Sequence, residues 1–335
     1  FSLDGETAIE IETKITTKNN KLIFENLDGK LVSKKINIDY LPKEIHLELN
    51  EFEADITKKN TNITVQNSFF NKDEFSMNLS FEDWNKFIQA ESKKIKCNYD
   101  LKLDKFHLDD FLDIFDSKDS SNTDYQIDLE GAITANELYY DNLMFSNVVT
   151  KRLNINKSLE IKKLLMESYD GRIFLNIYNA DLSSENQNWL IDGELFDLNI
   201  NKLMKSFNDF DQDYIKNEHI SGSISSEFNS KLIFDSLYNW DFQNSSIESK
   251  NTFKDIVLLE YPFLYDILKV FESSVITRNI IDINHYEKNL HKVAFKDFKS
   301  TIIFSNGITE IEKTIFENDV LDFSFYGNYN LEKQV

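Results

Sequence analysis

Along most of this chain every second residue is apolar and the residues between are polar, the spacing of a β-strand with one dry face and one wet face. From Leu321 to Tyr329 the apolar set is Leu321, Phe323, Phe325, Gly327 and Tyr329, with Asp322, Ser324 and Asn328 between them. The same alternation runs through Ile9/Ile11, Ile36/Ile38/Tyr40, Ile45/Leu47/Leu49, Phe75/Met77/Leu79/Phe81, Tyr99/Leu101/Leu103, Tyr125/Ile127/Leu129 and Ile173/Leu175/Ile177. Polar clusters separate these runs at Lys18 to Lys21, Lys58 to Asn62, Asn71 to Asp73 and Ser183 to Asn186. Strands are therefore expected to follow one another as antiparallel hairpins and meanders.

Four short stretches switch to helical spacing. Phe81 to Ile88 brings Phe81, Trp84, Phe87 and Ile88 to one side, with Ser80 as candidate N-cap. Leu108 to Phe115 has acidic residues in its first turn, which the helix dipole favours, and Ile200 to Phe207 follows directly on the strand Leu195 to Leu198. Tyr261 to Phe271 has Pro262 near its start, where a missing N–H costs least. The residues thus predict a mainly β fold with short capping helices. Whether the helices plug an exposed apolar sheet face or belong to the core of an ordinary α+β domain is open at this point.

Composition narrows the picture. With 335 residues and 41% hydrophobic content spread evenly, the chain has no compositional seam, so one elongated unit fits as well as two domains. The 28% charged content beside many Phe and Ile residues predicts a folded chain. A net charge of -21 repels a phosphate backbone, so nucleic acid is not an expected partner. The single cysteine, Cys97, has no partner for an internal disulfide and does not fix the compartment. No run approaches the ~18 apolar residues that span a bilayer. The longest apolar-rich patch, Ile256 to Phe271, is broken by Glu260, Pro262, Asp266 and Lys269. The start at Phe1 suggests an excised piece, with any anchor or signal lying outside it.

Candidate reactive groups are sparse. Asp209-Phe210-Asp211-Gln212-Asp213 resembles the start of a calcium loop, but the turn glycine would fall at Tyr214 and the bidentate glutamate at Ile220. His107 with Asp109 and Asp110, and His285 with Glu287 and His291, lack the spacing of a zinc-helix motif. No Gly-rich phosphate loop, nucleophile elbow or Cys/His pairing occurs. No catalytic residue, metal ligand or cofactor is therefore expected, and the chain reads as a non-enzyme.

Two stretches carry a resemblance. Gly131 to Tyr140, continuing through Leu143, Phe145, Asn147, Val148 and Ile155 to Ile161–Ile173, resembles the C-terminal region of AsmA-family proteins. So does Phe298 to Ile308, followed by the strand with Phe325, Tyr326 and Gly327. In that family a strand pair ends in an Asn/Asp-Gly turn, as at Asp170-Gly171 and Asn306-Gly307 here; the bulky Phe325 and Tyr326 beside Gly327 depart from its pattern. The resemblance covers residue 131 to the end, which sets the expected division at 1–130 and 131–335, two continuous parts of one sheet.

The resemblance implies an elongated, curled antiparallel sheet that forms an open U-shaped hydrophobic groove. It implies a periplasmic module of the Gram-negative envelope, tethered to the inner membrane by an N-terminal helix outside this piece. Its partner would be a phospholipid or other acyl lipid, and other envelope proteins as well. Two acyl chains of roughly 16 methylenes each, at about 0.8 kcal/mol per methylene, cost on the order of 25 kcal/mol to wet, so a carrier must shelter them throughout. The expected lining is Ile161, Ile173, Leu175, Ile177, Leu195, Ile302, Phe304, Leu321, Phe323 and Phe325. Two alternatives use the same alternation: a structural envelope protein that binds a protein partner, and a sealed carbohydrate-active sandwich with a carboxylate pair.

Overall fold

The computed structural model describes all residues except 1, 19–20, 41–43, 58, 89–91, 110–125, 183, 212, 214, 274–289, 319–321 and 331–335. The protein is mainly β with a few short helices, as the alternation predicts. It divides into two units, Phe1–Met166 with Ala180–Leu182, and Glu167–Asn179 with Ser183–Val335. Residues 130 and 131, where the resemblance sets its division, are both interior to a strand of the first unit.

In the first unit, β1 (Ser2–Lys18) and β2 (Lys21–Tyr40) form a long antiparallel hairpin. Strands β3 (Ile45–Leu49) and β4 (Glu51–Ile56) both pair with β2, as two halves of one strand broken at Asn50. At the break the Asn50 N–H donates to Ser68 Oγ (3.0 Å) and its side-chain amide to the Asn67 carbonyl (2.8 Å), so polar groups freed from the ladder find partners. Next come β5 (Asn60–Phe70), β6 (Asp73–Glu82), helix α1 (Trp84–Ile88), β7 (Lys94–His107), β8 (Gln126–Tyr140), β9 (Leu143–Ile155) and β10 (Leu159–Ser168). Helix α1 is shorter than its spacing predicts. Phe81 belongs to β6, and the Ser80 hydroxyl donates across the sheet to Asn62 (2.8 Å) instead of capping a helix. The helix expected over 108–115 lies outside the described residues from 110 onward.

Among the described pairings, the wholly antiparallel expectation needs correction at one. Strands β7 and β8 run parallel, from Lys94↔Gln126 to His107↔Tyr139. A parallel neighbour requires a crossover, and alternation fixes which face a residue takes but not the direction of the strand. Within this pair Tyr99 lies over Gly131, where a Cβ would come within 2.6 Å of the ring. The Tyr99 hydroxyl donates to the Leu153 carbonyl (3.1 Å), and burial pushes its phenol up to about 12.

The second unit continues with β11 (Gly171–Asn179), β12 (Gln187–Asn199), helix α2 (Ile200–Ser206), β13 (Ile220–Phe234), β14 (Ser246–Leu259) and helix α3 (Pro262–Ser273). After these come β15 (Lys292–Ala294), β16 (Phe298–Ser305), β17 (Ile308–Phe316) and β18 (Phe323–Asn330). The described pairings β11–β12, β12–β13, β13–β14, β14–β15, β14–β16, β16–β17 and β17–β18 are all antiparallel. Asn306 and Gly307, at φ 52 and 71, close the β16–β17 hairpin between the paired residues Ser305 and Ile308, the two-residue turn that strand twist prefers.

Three bulges interrupt this meander. Register shifts fall at Leu195/Leu198, Ser221/Ser223 and Ile311/Thr314, with positive φ at Asp197 (49), Gly222 (124) and Asp255 (51). Each extra residue resets the alternation. Leu195 and Leu198, Phe253 and Ile256, and Ile311 and Thr314 therefore share a face although each pair is three residues apart.

One end of that face is closed by a packed cluster. Ile200 and Met204 of α2, Leu264 of α3, Ile256 and Leu258 of β14, Val293 of β15, Leu290 and Phe295 are all buried together. Asn199 starts α2 by accepting from the Lys202 N–H (3.1 Å), and its own N–H donates to the Tyr169 carbonyl (2.8 Å), which ties the helix start to the β10–β11 turn.

Candidate functional site

The cross-strand register of the second unit defines three lines of side chains on one face. The first runs Ile173, Leu195, Ser226, Asn251 and Ser300; the second Leu175, Gly193, Phe228, Ser249, Ile302 and Ile311; the third Ile177, Ile191, Ser230, Ile247, Phe304 and Thr309. Six of the residues picked out by alternation, Ile173, Leu175, Ile177, Leu195, Ile302 and Phe304, are thus brought onto one surface. Phe325 and Phe323 stand opposite Thr314 and Phe316, at register positions of the same face. Ile161 is half-buried in β10 of the first unit, and Leu321 lies outside the described residues.

The reverse face of this sheet is mixed, with Phe174, Phe196 and Ile303 half-buried and Tyr178 and Leu190 40% and 41% exposed. Alternate positions carry Asp192, Glu194, Glu227, Lys231, Glu248, Lys250 and Lys299, all exposed. On the apolar face Ile173 and Phe304 are buried, while Leu175, Ile177, Leu195, Phe228 and Ile302 are half-buried and Phe325 is 53% exposed. The inward side chains of a sealed sandwich are withdrawn from water by a second sheet. Here the burial is uneven: complete at the helical cluster, at Ile173 and at Phe304, against which Trp240 packs (5.3 Å), and partial at Leu175, Ile177, Phe228 and Ile302.

Between the cluster and the half-buried residues, the first line is polar. Ser226, Asn251 and Thr314 are 8%, 6% and 3% exposed. The Asn251 amide donates to Ser249 Oγ (3.1 Å) and the Ser300 carbonyl (3.4 Å), and the Thr314 hydroxyl donates to Ser300 Oγ (3.0 Å). A concavity of about 540 Å³ crosses β12, β13, β14 and β16 at this level, with Glu194, Phe196, Glu227, Lys250 and Lys299 in its lining beside Leu195, Ser226, Asn251 and Ser300. Toward the cluster Phe298 stacks on Phe253 (4.7 Å between centroids) and meets the Phe316 ring at a tilt (4.6 Å). On the other side the ring of Phe228 lies against Gly193.

Sequence reasoning missed the polar line, because it sorted each strand into an apolar and a polar half. The signal was present in Ile224-Ser-Ser226-Glu-Phe228 and in Phe298-Lys-Ser300-Thr-Ile302, where small polar residues occupy apolar-face positions.

The candidate ligand groupings resolve into local structure. Asp209 accepts from the Asn217 N–H (2.8 Å) and from its side-chain amide (3.0 Å), and Asp211 accepts from Asn208 (2.8 Å), so these carboxylates hold a left-handed turn, with φ of 49 at Asn208 and 54 at Asp211. His107 pairs with Asp73 across the sheet: Nδ1 is 2.9 and 3.0 Å from the two Asp73 oxygens, and the His107 N–H donates to Asp73 at 2.8 Å, while Asp110 lies outside the described residues. His107 also stacks on Tyr139 (4.9 Å). His285 and Glu287 lie outside the described residues, and His291 is exposed. Among the described residues no group of three or more His, Cys, Asp or Glu is placed to hold a metal ion, and no helix is long and apolar enough to cross a membrane. Burial raises the Cys97 thiol above its ordinary range, which keeps it protonated and a poor nucleophile.

No family model matches the chain, and no curated protein or solved structure matches it.

Proposed function

We propose that this chain is a non-enzymatic lipid-binding and lipid-transfer module of the Gram-negative envelope, holding acyl chains against the apolar face of its sheet. The observation that carries the reading is the incomplete burial of that face: Leu175, Ile177, Leu195 and Ile302 share one surface and remain half-exposed, while Glu194, Glu227, Lys250 and Lys299 are exposed at the alternate positions. Hydrocarbon tails would complete the burial these side chains lack, at about 25 cal/mol per Å² of apolar surface withdrawn. Aliphatic contacts have no preferred direction, so a tail can slide along them without meeting a deep well. The resemblance of residues 131 onward to the AsmA family supports the same reading, and with it an open, curled groove, a periplasmic location and a phospholipid or other acyl lipid as cargo.

Native mass spectrometry of the chain produced in a Gram-negative host tests this directly. Co-purified lipid, lost when Leu175 and Ile302 are changed to Asp, is the expected result; a protein that stays lipid-free through mild purification overturns the proposal.

A second reading, a structural envelope protein that binds a protein partner, is favoured by one observation. Strand β18 carries Phe325, Tyr326 and Tyr329 at 53%, 69% and 46% exposure, and exposed aromatic clusters are common in binding surfaces.

A further inference from the structure

We propose that strand β18 is a self-association edge: it pairs antiparallel with β18 of a second copy of this chain, about a two-fold axis at Tyr326. This goes beyond both readings above, since such pairing needs neither a lipid nor a foreign protein.

The first reason is an unprotected edge. Among the described pairings β18 is hydrogen-bonded to β17 alone, and from Ser324 to Asn328 every residue, on either face, is exposed. Such a strand offers a row of backbone N–H and C=O groups to another chain, and charged residues or proline are the usual guards against that. Residues 323–330 contain no Lys, Arg, Asp, Glu or Pro. Of the described strands only β5 is likewise uncharged, and it is paired on both sides, with β4 and β6. Strand β18 therefore has the composition of an interior strand and the position of an outer one.

The second reason is an uncovered glycine. Gly131 lies against the ring of Tyr99 and Gly193 against that of Phe228, in each case the residue directly opposite on the neighbouring strand. A Cβ added at Gly327 would meet nothing within 4 Å. Strand glycines mark places of close approach, and the open side of β18 is where a ring could reach this one.

The third reason is self-complementarity. Residues opposite one another in an antiparallel pair share a face, so in a strand paired with its own copy they are an even number apart. With the axis at Tyr326, Phe325 stands opposite Gly327 twice, Ser324 opposite Asn328 twice, and Tyr326 opposite its equivalent. Each glycine then receives a ring, small polar residues meet, and no like charges are opposed, which is what cross-strand pairs favour. A net charge of -21 repels two copies elsewhere; an uncharged strand is where they can meet. Because the axis is normal to the sheet, the apolar faces of the two paired sheets fall on the same side.

Sedimentation velocity of the whole chain over a wide range of concentration should show a reversible monomer–dimer equilibrium. Gly327→Val should fold as well as the parent, the space beside it being open, yet raise the dissociation constant about tenfold by filling the place of the Phe325 ring. Tyr326→Lys sets two ammonium groups face to face and should raise it similarly, less so in high salt. Under mild oxidation with diamide Tyr326→Cys should give a disulfide-linked dimer, while Ser324→Cys, whose copies lie far apart in this register, should not; the native Cys97 is buried. A chain that stays monomeric, or that grows past the dimer into open-ended assemblies, overturns the proposal. So does a dimer that Gly327→Val leaves unchanged, or one that Ser324→Cys links as fast as Tyr326→Cys.

Discussion

The ring of Phe228 lies across Gly193: a Cβ added to Gly193 would come within 2.3 Å of the ring and 2.7 Å of Leu175. The glycine is thus the space into which its cross-strand partner folds, and it keeps the sheet open to close approach at the middle of the apolar face.

Gly193→Val should therefore destabilise the protein by about 1–3 kcal/mol through overpacking, seen as a lower urea midpoint. Adding Phe228→Leu should restore part of the loss, because it removes the atoms with which the new side chain collides. A Gly193→Val protein as stable as the parent would show that the ring does not occupy this space.

Tyr99 should titrate late. Burial disfavours its phenolate, so the folded-state value of about 12 stands above the ordinary 10.0. A raised value means the neutral phenol is favoured by folding; that contribution is complete below about pH 10 and is lost as pH rises toward about 12. Ultraviolet titration of phenolate should show a delayed fraction that Tyr99→Phe diminishes but does not abolish, since the hydrogen bond to Glu137 raises Tyr139 and burial raises Tyr261 as well. The same variant should lower stability at neutral pH by about 1 kcal/mol, for the bond to Leu153.

Asp73 is 3% exposed and accepts both from the backbone and from the ring of His107. Asp73→Ala should cost about 2–3 kcal/mol, since it leaves the His107 N–H without its acceptor in a buried place and removes a charged one. Asp73→Asn keeps an acceptor oxygen for that N–H and should cost less. Equal midpoints for the two variants in chemical denaturation would contradict this account.

Asn199→Ala should cost about 1 kcal/mol, the usual loss of a helix N-cap. The readout is hydrogen exchange: amides of α2 should exchange faster, while those of the β16–β17 hairpin should not. Asn199→Asp, which still accepts from Lys202, should stay close to the parent.

Much of the second unit was legible in the chain. Ile173, Leu175 and Ile177 share a face because the pleat alternates, and Asn306-Gly307 made its turn because both residues accept positive φ. Helices α2 and α3 lie within a residue or two of where their spacing placed them. The parallel β7–β8 pair was not legible, since a strand's residues record its faces and not its neighbour's direction. Nor was the partnership of His107 with Asp73, whose 34-residue separation is closed only by the pairing of β6 and β7.

The sequence by itself determined the strands, their turns and which residues are apolar, because these follow from period, propensity and local backbone chemistry. Tertiary structure decided which side each residue finally takes. Single extra residues at Asp197, Asp255 and the Glu312-Lys313 step reset the alternation, and only cross-strand hydrogen bonding fixes where such resets fall. The polar line Ser226, Asn251, Ser300 and Thr314 is the result: four unremarkable residues from four strands, brought together by register.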